Sequence, residues 1–193
     1  GKHGVTSNYR FDLAPYTWKL VQQLKRGTAL FTQPPMPIKC AGAPQKALYL
    51  SSDWWQQQGL QTSINVSFHN AGGALFGVPA YVPALMDTVN DYDINLQLNS
   101  QLVKVDGASQ TATFNLIKDG AVVGQESIVF DMLHVCPPQT AHDFMHGQPI
   151  VDPAGWVDVK PDTLQNPYYH NVFGLGDGAN TPNAKTAAAV RMQ

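Results

Sequence analysis

Charge is scarce in this sequence. Aspartate, glutamate, lysine and arginine make up 13% of the 193 residues, about half of the ~25% usual in soluble domains. So low a charged fraction points to a chain whose surface is in good part covered by something else. With a net charge of −2 and no basic block, the sequence offers no electrostatic footprint for nucleic acid. No apolar run approaches the roughly 18 residues a membrane-spanning helix needs. The opening GKHGVTSNYR also lacks the apolar segment of a signal peptide. Cysteine is nearly absent. Cys40 and Cys136, far apart, make no disulfide framework, so catalytic or redox duty is the better reading of a cysteine here.

The two ends lack the usual signals as well. The chain starts with Gly1, and it closes on KTAAAVRMQ, an alanine-rich helix start with no glycine, asparagine or proline to stop it. A helix cut in mid-run would leave its last carbonyls uncapped. The sequence is therefore expected to be a section of a longer protein.

What is present is an alternation of strands and helices. APYTWKLVQQLKRG places Trp18, Leu20, Val21 and Leu24 on a helical period, with Gly27 as its stop. TALFTQ (28–33) predicts a short apolar strand, ALYLSSDWWQQQG (47–59) a helix ended by Gly59, and TSINVSFHN (62–70) a half-buried strand. PAYVPALMDTVNDYD (79–93) predicts a helix with Pro79 near its first turn, and INLQLNSQLVKVDG (94–107) a third strand region. The period then changes to two: TATFNLI and SIVFDMLHV flank KDGAVVGQE, where Asp119-Gly120 signals a hairpin. Later, NVFGLGDGAN (171–180) reads as a strand entering a Gly-rich turn, with a helix from about Lys185. The expected class is α/β: a βαβαβ, Rossmann-like unit with a parallel sheet, followed by a small antiparallel meander.

One absence is specific. A βαβ unit that binds NAD carries G-x-G-x-x-G between its first strand and first helix. Here that place holds QPPMPIKCAGAPQK, whose prolines and lysines keep the backbone from approaching a pyrophosphate. A thiol, Cys40, stands in the loop instead. The thiolate is the reactive form and neighbouring cations favour it; Lys39 and Lys46 are candidates to supply them. The alternative is a small packing cysteine.

KCAGAPQK, HVCPP, GWVDV, NVFGLGD and KTAAAV, in that order, together closely resemble the sulfide:quinone oxidoreductases, flavoproteins with two dinucleotide-binding domains, and in particular the branch that includes the mitochondrial enzyme. The resemblance runs from about Tyr9 to Gln193. It implies that the chain is the middle section of such a protein. Residues 1–27 would lead in from the FAD domain, 28–136 would be the second, NAD-like domain with its meander, and 137–193 would return to the FAD domain. It further implies oxidation of sulfide to sulfane sulfur, with two electrons passing through FAD to a quinone. It implies membrane contact through regions outside this chain, on the cytoplasmic or matrix side, and leaves a homo-oligomer open.

By the same resemblance Cys40 is one of two redox cysteines. Cys136 does not match the second, which lies C-terminal to this section. Lys46, near the start of the helix after the loop, is implied to contact the flavin; a lysine there is otherwise disfavoured unless an anion lies opposite. Asp177, flanked by Gly176 and Gly178, is implied to accept a hydrogen bond from the ribityl or pyrophosphate region of FAD. Lys185 and Thr186 open the helix whose amides would face the electron-rich edge of the flavin. Each has a plain alternative: a solvated lysine, an ordinary Gly-Asp turn, a capped helix.

His134, Cys136, His142 and His146 form a cluster in which His142 and His146 have zinc spacing. Pro137 and Pro138 break the segment, so loop histidines and no metal are expected. Tyr49, Trp54 and Trp55 could form a quinone platform, but helical aromatics more often belong to a core or interface. Two rivals stand beside the sulfide reading. One is a related flavoprotein oxidising NAD(P)H, which the missing glycine fingerprint opposes. The other is a non-catalytic interaction domain with a vestigial cysteine.

Overall fold

A computed structural model describes residues 1–182 and 185–192. The chain divides into two units. Residues Gly1–Met36 and Ala41–Pro137 make the first; Pro37–Cys40 and the chain from Pro138 onward make the second.

The first unit is built on a five-stranded parallel sheet. In chain order its elements are β1 (Val5–Thr6), α1 (Ala14–Gln23), β2 (Gly27–Gln33), α2 (Gly42–Gln57), β3 (Ile64–Asn70), α3 (Val82–Asp91), β4 (Asn95–Leu98), β5 (Ser100–Asp106), β6 (Thr111–Lys118), β7 (Ala121–Val129) and β8 (Met132–His134). The parallel sheet runs β1-β8-β2-β3-β4, while β5-β6-β7 form a separate antiparallel sheet. This is the α/β architecture with a meander that the sequence predicts.

β2 is central and buried on both faces, as a parallel strand between covering layers must be. Alternate side chains go to opposite faces. Ala29 and Phe31 enter a cluster with Leu48, Trp55, Val66, Phe68 and Met132. Leu30 enters a second with Ala112, Phe114, Phe130 and Leu133. Burying a side chain the size of Phe31 contributes roughly 1.5–3 kcal/mol. Trp55 is tied in by its indole N–H, which donates to the Val21 carbonyl at 2.9 Å. Trp54 meets Trp18 edge-on, and the Tyr49 hydroxyl donates to Gln45. These aromatics pack the core of α1 and α2.

Several boundaries move. α2 starts at Gly42, five residues before the predicted helix. Pro44 is what misleads: in the first turn its missing N–H would have had no partner anyway. Gly27 is not a helix stop. α1 ends at Gln23, and Gly27, at φ +115°, opens β2. A Cβ there would meet the Asp131 carboxylate at 2.0 Å, which instead accepts the Thr28 amide. The predicted strand region 94–107 is two strands in different sheets, parted at Asn99, whose φ is +55°. SIVFDMLHV likewise divides between β7 and β8. Asp119 (φ +51°) and Gly120 (φ +77°) take the two left-handed positions of a tight hairpin between β6 and β7.

The second unit contains little regular structure. The strand predicted at 171–180 is absent. Residues there make single bridges, Gln165 with Phe173 and Val157 with Ala179, around a 3-10 turn at Gly176–Gly178. Gly174 packs so closely on Val157 that a Cβ would stand 2.8 Å away. Asn166, fully buried, organises this unit. Its amide donates to the carbonyls of Ile150 and Asp158 and accepts the amides of Tyr168 and Tyr169. The last helix, α4, comprises Ala187–Met192 and begins two residues after Lys185. Ala184 and Gln193, which flank the predicted helix, lie outside the described residues. Among the described residues no helix is long and apolar enough to cross a membrane.

Candidate functional site

The second unit gathers most of the residues singled out in the sequence. Cys40 is half-buried and holds a left-handed backbone, φ +59°. For a non-glycine residue that conformation costs on the order of 1–2 kcal/mol, so something over-determines it. The restraint is a bridge: Lys39 pairs with Lys185 in parallel, and the Cys40 amide donates to the Lys185 carbonyl at 2.6 Å. On the other side the Lys39 amide donates to the Gln139 side chain. Two segments remote in sequence thus fix the position of one thiol. Cys40 and Cys136 are not joined in a disulfide. Cys136 is buried in the first unit, its amide donating to the Thr32 hydroxyl.

Lys185 occupies a guarded place. Its ammonium donates to the carbonyls of Ala179 and Thr181 and lies 5.6 Å from the centre of the Trp156 ring. The ammonium of Lys39 lies 5.1 Å from the same ring centre. Burial lowers the Lys185 pKa; the carboxylate of Asp177 opposes this, the charge of Lys39 adds to it, and Asp152 opposes it. Among the described residues no carboxylate stands within ion-pair distance of either lysine, the one salt bridge being Arg10–Asp12.

Trp156 is held by its own loop. Asp152 accepts the amides of Ala154 and Trp156 and donates its own amide to the Trp156 carbonyl. Gly155 adopts φ +87°, and a Cβ there would strike the His146 ring at 2.7 Å. Only glycine satisfies both conditions. In the sequence GWVDV is a motif that assigns Trp156 no role. A tryptophan directly after a glycine was the available signal, but its two cationic partners lie far away in the chain.

Gly176 (φ +64°) turns the chain so tightly that a Cβ would meet Val190 at 2.5 Å. Asp177 at the tip is exposed, and beside it Gly178 faces open space. The Thr186 carbonyl accepts the Val190 amide and so begins α4. Gly176, Asp177 and Lys185, the last with no ion pair among the described residues, are the side chains and turn here that could hold a polar cofactor. The helix itself, at six described residues, adds no dipole argument. Lys46 belongs to the first unit, exposed on the second turn of α2.

The histidines separate. His142 stacks on Phe144, and His146 lies against Gly155. His134 is buried in β8, where its Nε2 accepts the Asn8 amide. Among the described residues no group of three or more His, Cys, Asp or Glu is placed to hold a metal.

No family model matches the chain. It is 43% identical over 190 residues to the mitochondrial sulfide:quinone oxidoreductase of Mus musculus, covering 98% of this chain and 42% of that protein. With the mitochondrial sulfide:quinone oxidoreductase of Dictyostelium discoideum it shares 38% over 195 residues, 100% of this chain and 42% of the other. Among solved structures, the sulfide:quinone oxidoreductase of the hyperthermophilic bacterium Aquifex aeolicus superposes with a TM-score of 0.77 over 95% of this chain and 44% of that one, at 19% identity. That last likeness is one of fold. The chain spans about two fifths of the length of the curated relatives it matches. The resemblance carried by the five motifs is thus a relationship in sequence along nearly the whole chain.

Proposed function

From this kinship with the sulfide:quinone oxidoreductases we propose that the chain is the second, NAD-like portion of a flavoprotein that oxidises sulfide to sulfane sulfur. The observation that carries the reading is Cys40. Where a dinucleotide-binding strand-to-helix loop would offer glycine backbone, this one presents a half-buried thiol held in a left-handed conformation by a remote lysine.

Cys40 would carry the sulfur. Hydrosulfide attacks a disulfide or persulfide that includes it; one sulfur–sulfur bond forms as another breaks, and a thiolate leaves. The partner cysteine would lie outside this chain. FAD, when bound, supplies the route by which two electrons leave the sulfur for a quinone. Gly176, Asp177, Lys185 and Thr186 would hold its polar edge, with Lys46 a further contact. Gly176 gives the close turn, Asp177 an acceptor, and Lys185 a cation with no ion pair among the described residues. Membrane association on the cytoplasmic or matrix side would come from regions beyond this chain, and a homo-oligomer would be compatible with it.

The test is anaerobic mixing of the full-length protein with sulfide and, separately, with NADH, following the flavin absorbance. Bleaching by sulfide and not by NADH is expected. Bleaching by NADH alone would assign the loop at 34–41 to a nicotinamide and overturn the reading.

A further inference from the structure

Two ammonium groups of one sign meet on a single buried indole. Lys39 and Lys185 are neighbours across a backbone bridge, so their side chains start side by side. Their ammonium groups lie 5.1 and 5.6 Å from the centre of the Trp156 ring, and Trp156 is 8% exposed. An indole face attracts a cation, yet two cations gathered on one ring repel. Asp152, whose Oδ1 accepts two amides of the Trp156 loop, offsets the charge of Lys185 only in part and from beyond ion-pair distance. Asp177, on the exposed glycine turn, also stands beyond ion-pair distance. Lys185 uses its donors on two carbonyls, while Lys39 makes no ion pair among the described residues. The Asp152–Trp156 loop, with a Gly155 that tolerates no Cβ, fixes the ring on which both charges rest.

We infer that Lys39, held on Trp156 beside Lys185, seats one small sulfur monoanion, of the hydrosulfide class, next in the chain to Cys40. Lys39 is the binding group and Trp156 a positioning residue. The inference rests on the sulfide-oxidising reading above, in which an anion must arrive beside that thiol. The seat holds the anion through charge and places no bond-making demand on either lysine.

The experiment measures flavin reduction by sulfide in the full-length flavin-loaded protein, with the half-saturating sulfide concentration and the limiting rate taken separately. Removing one charged partner of a bound anion is worth about tenfold or more in affinity. Lys39→Gln is expected to raise the half-saturating concentration about tenfold while changing the limiting rate less than threefold. Trp156→Leu should move it in the same direction, and Trp156→Phe, which keeps an aromatic face, should restore it to within about threefold of the parent. If Trp156→Leu does not fold, Lys39→Gln and Trp156→Phe decide the matter. Half-saturation within twofold of the parent in Lys39→Gln overturns the seat and leaves the sulfide reading intact. No reduction of the unaltered protein by sulfide overturns both.

Discussion

The backbone amide of Cys40 donates to the carbonyl of Lys185 at 2.6 Å, joining the thiol-bearing loop to the segment just before the last helix. The thiol and the lysine are therefore one structural feature, though the sequence separates them widely. Changes at either residue should be felt at the other.

Replacing Cys40 by serine keeps the amide and nearly the same volume but removes the nucleophilic sulfur. Cys40→Ser is expected to retain bound FAD in the full-length protein and to lose sulfide-dependent flavin bleaching. Bleaching at the parent rate would remove Cys40 from the reaction.

Cys40→Gly separates stability from chemistry. Glycine takes φ +59° without the strain any Cβ brings. The variant should lose sulfide oxidation yet unfold at higher urea concentration, the relief of about 1–2 kcal/mol of backbone strain outweighing the ~0.5–1 kcal/mol cost of glycine's freedom in the unfolded chain. A less stable Cys40→Gly would mean that contacts of the thiol outweigh its backbone strain.

Asn166 makes four hydrogen bonds from a fully buried position. Asn166→Ala takes this partner from the Asp158 carbonyl and from the amides of Tyr168 and Tyr169, while the Ile150 carbonyl keeps the Asp158 amide, which costs about 2 kcal/mol or more. Limited proteolysis should then cut within residues 150–175, while the parallel sheet of the first unit keeps its hydrogen-exchange protection. Loss of protection in β2 and β3 as well would show that the two units unfold together.

His69 and His134 are buried, and burial pushes both pKa values down to about 4. His69 Nδ1 pairs with the Ser100 hydroxyl at 2.8 Å, while His134 Nε2 accepts an amide and so must be the unprotonated nitrogen. The unfolded chain takes up these protons near pH 6.5 and the folded chain only near pH 4, so the unfolded state binds more protons in between. Stability is full above about pH 6.5 and falls as the pH drops toward 4, at up to ~1.4 kcal/mol per unit for each histidine. Urea titrations at pH 7.5 and 5 should show the loss, and His69→Gln should reduce it. Equal stability at the two pH values would exclude both histidines as the cause.

The parallel sheet was legible because TALFTQ and INVSFHN are continuous apolar or alternating runs with clear stops, and Asp119-Gly120 carries its own hairpin signal. The start of α2 was not, because Pro44 imitates a boundary and is harmless in a first turn. The division of 94–106 between two sheets hangs on one left-handed asparagine, which alternation cannot reveal. At the site, Cys40, Asp177 and Lys185 stand out through the resemblance in motifs. Trp156 does not, since its meaning depends on Lys39 and Lys185 arriving from opposite ends of the sequence.

The order of strands also sets a timetable for synthesis. β2 pairs with β8 on one side, and β8 is also the strand that β1 pairs with, so both pairings wait until the meander has been made. At about 5–20 residues per second the roughly one hundred intervening residues keep the apolar edge of β2 unpaired for on the order of 5–20 s. In that interval the nascent chain displays Leu30 and Phe31 on an open strand edge, the kind of surface that recruits other strands. A ribosome stalled before Met132 would therefore release an aggregation-prone chain, whereas one stalled just beyond His134 would release a chain whose sheet can close.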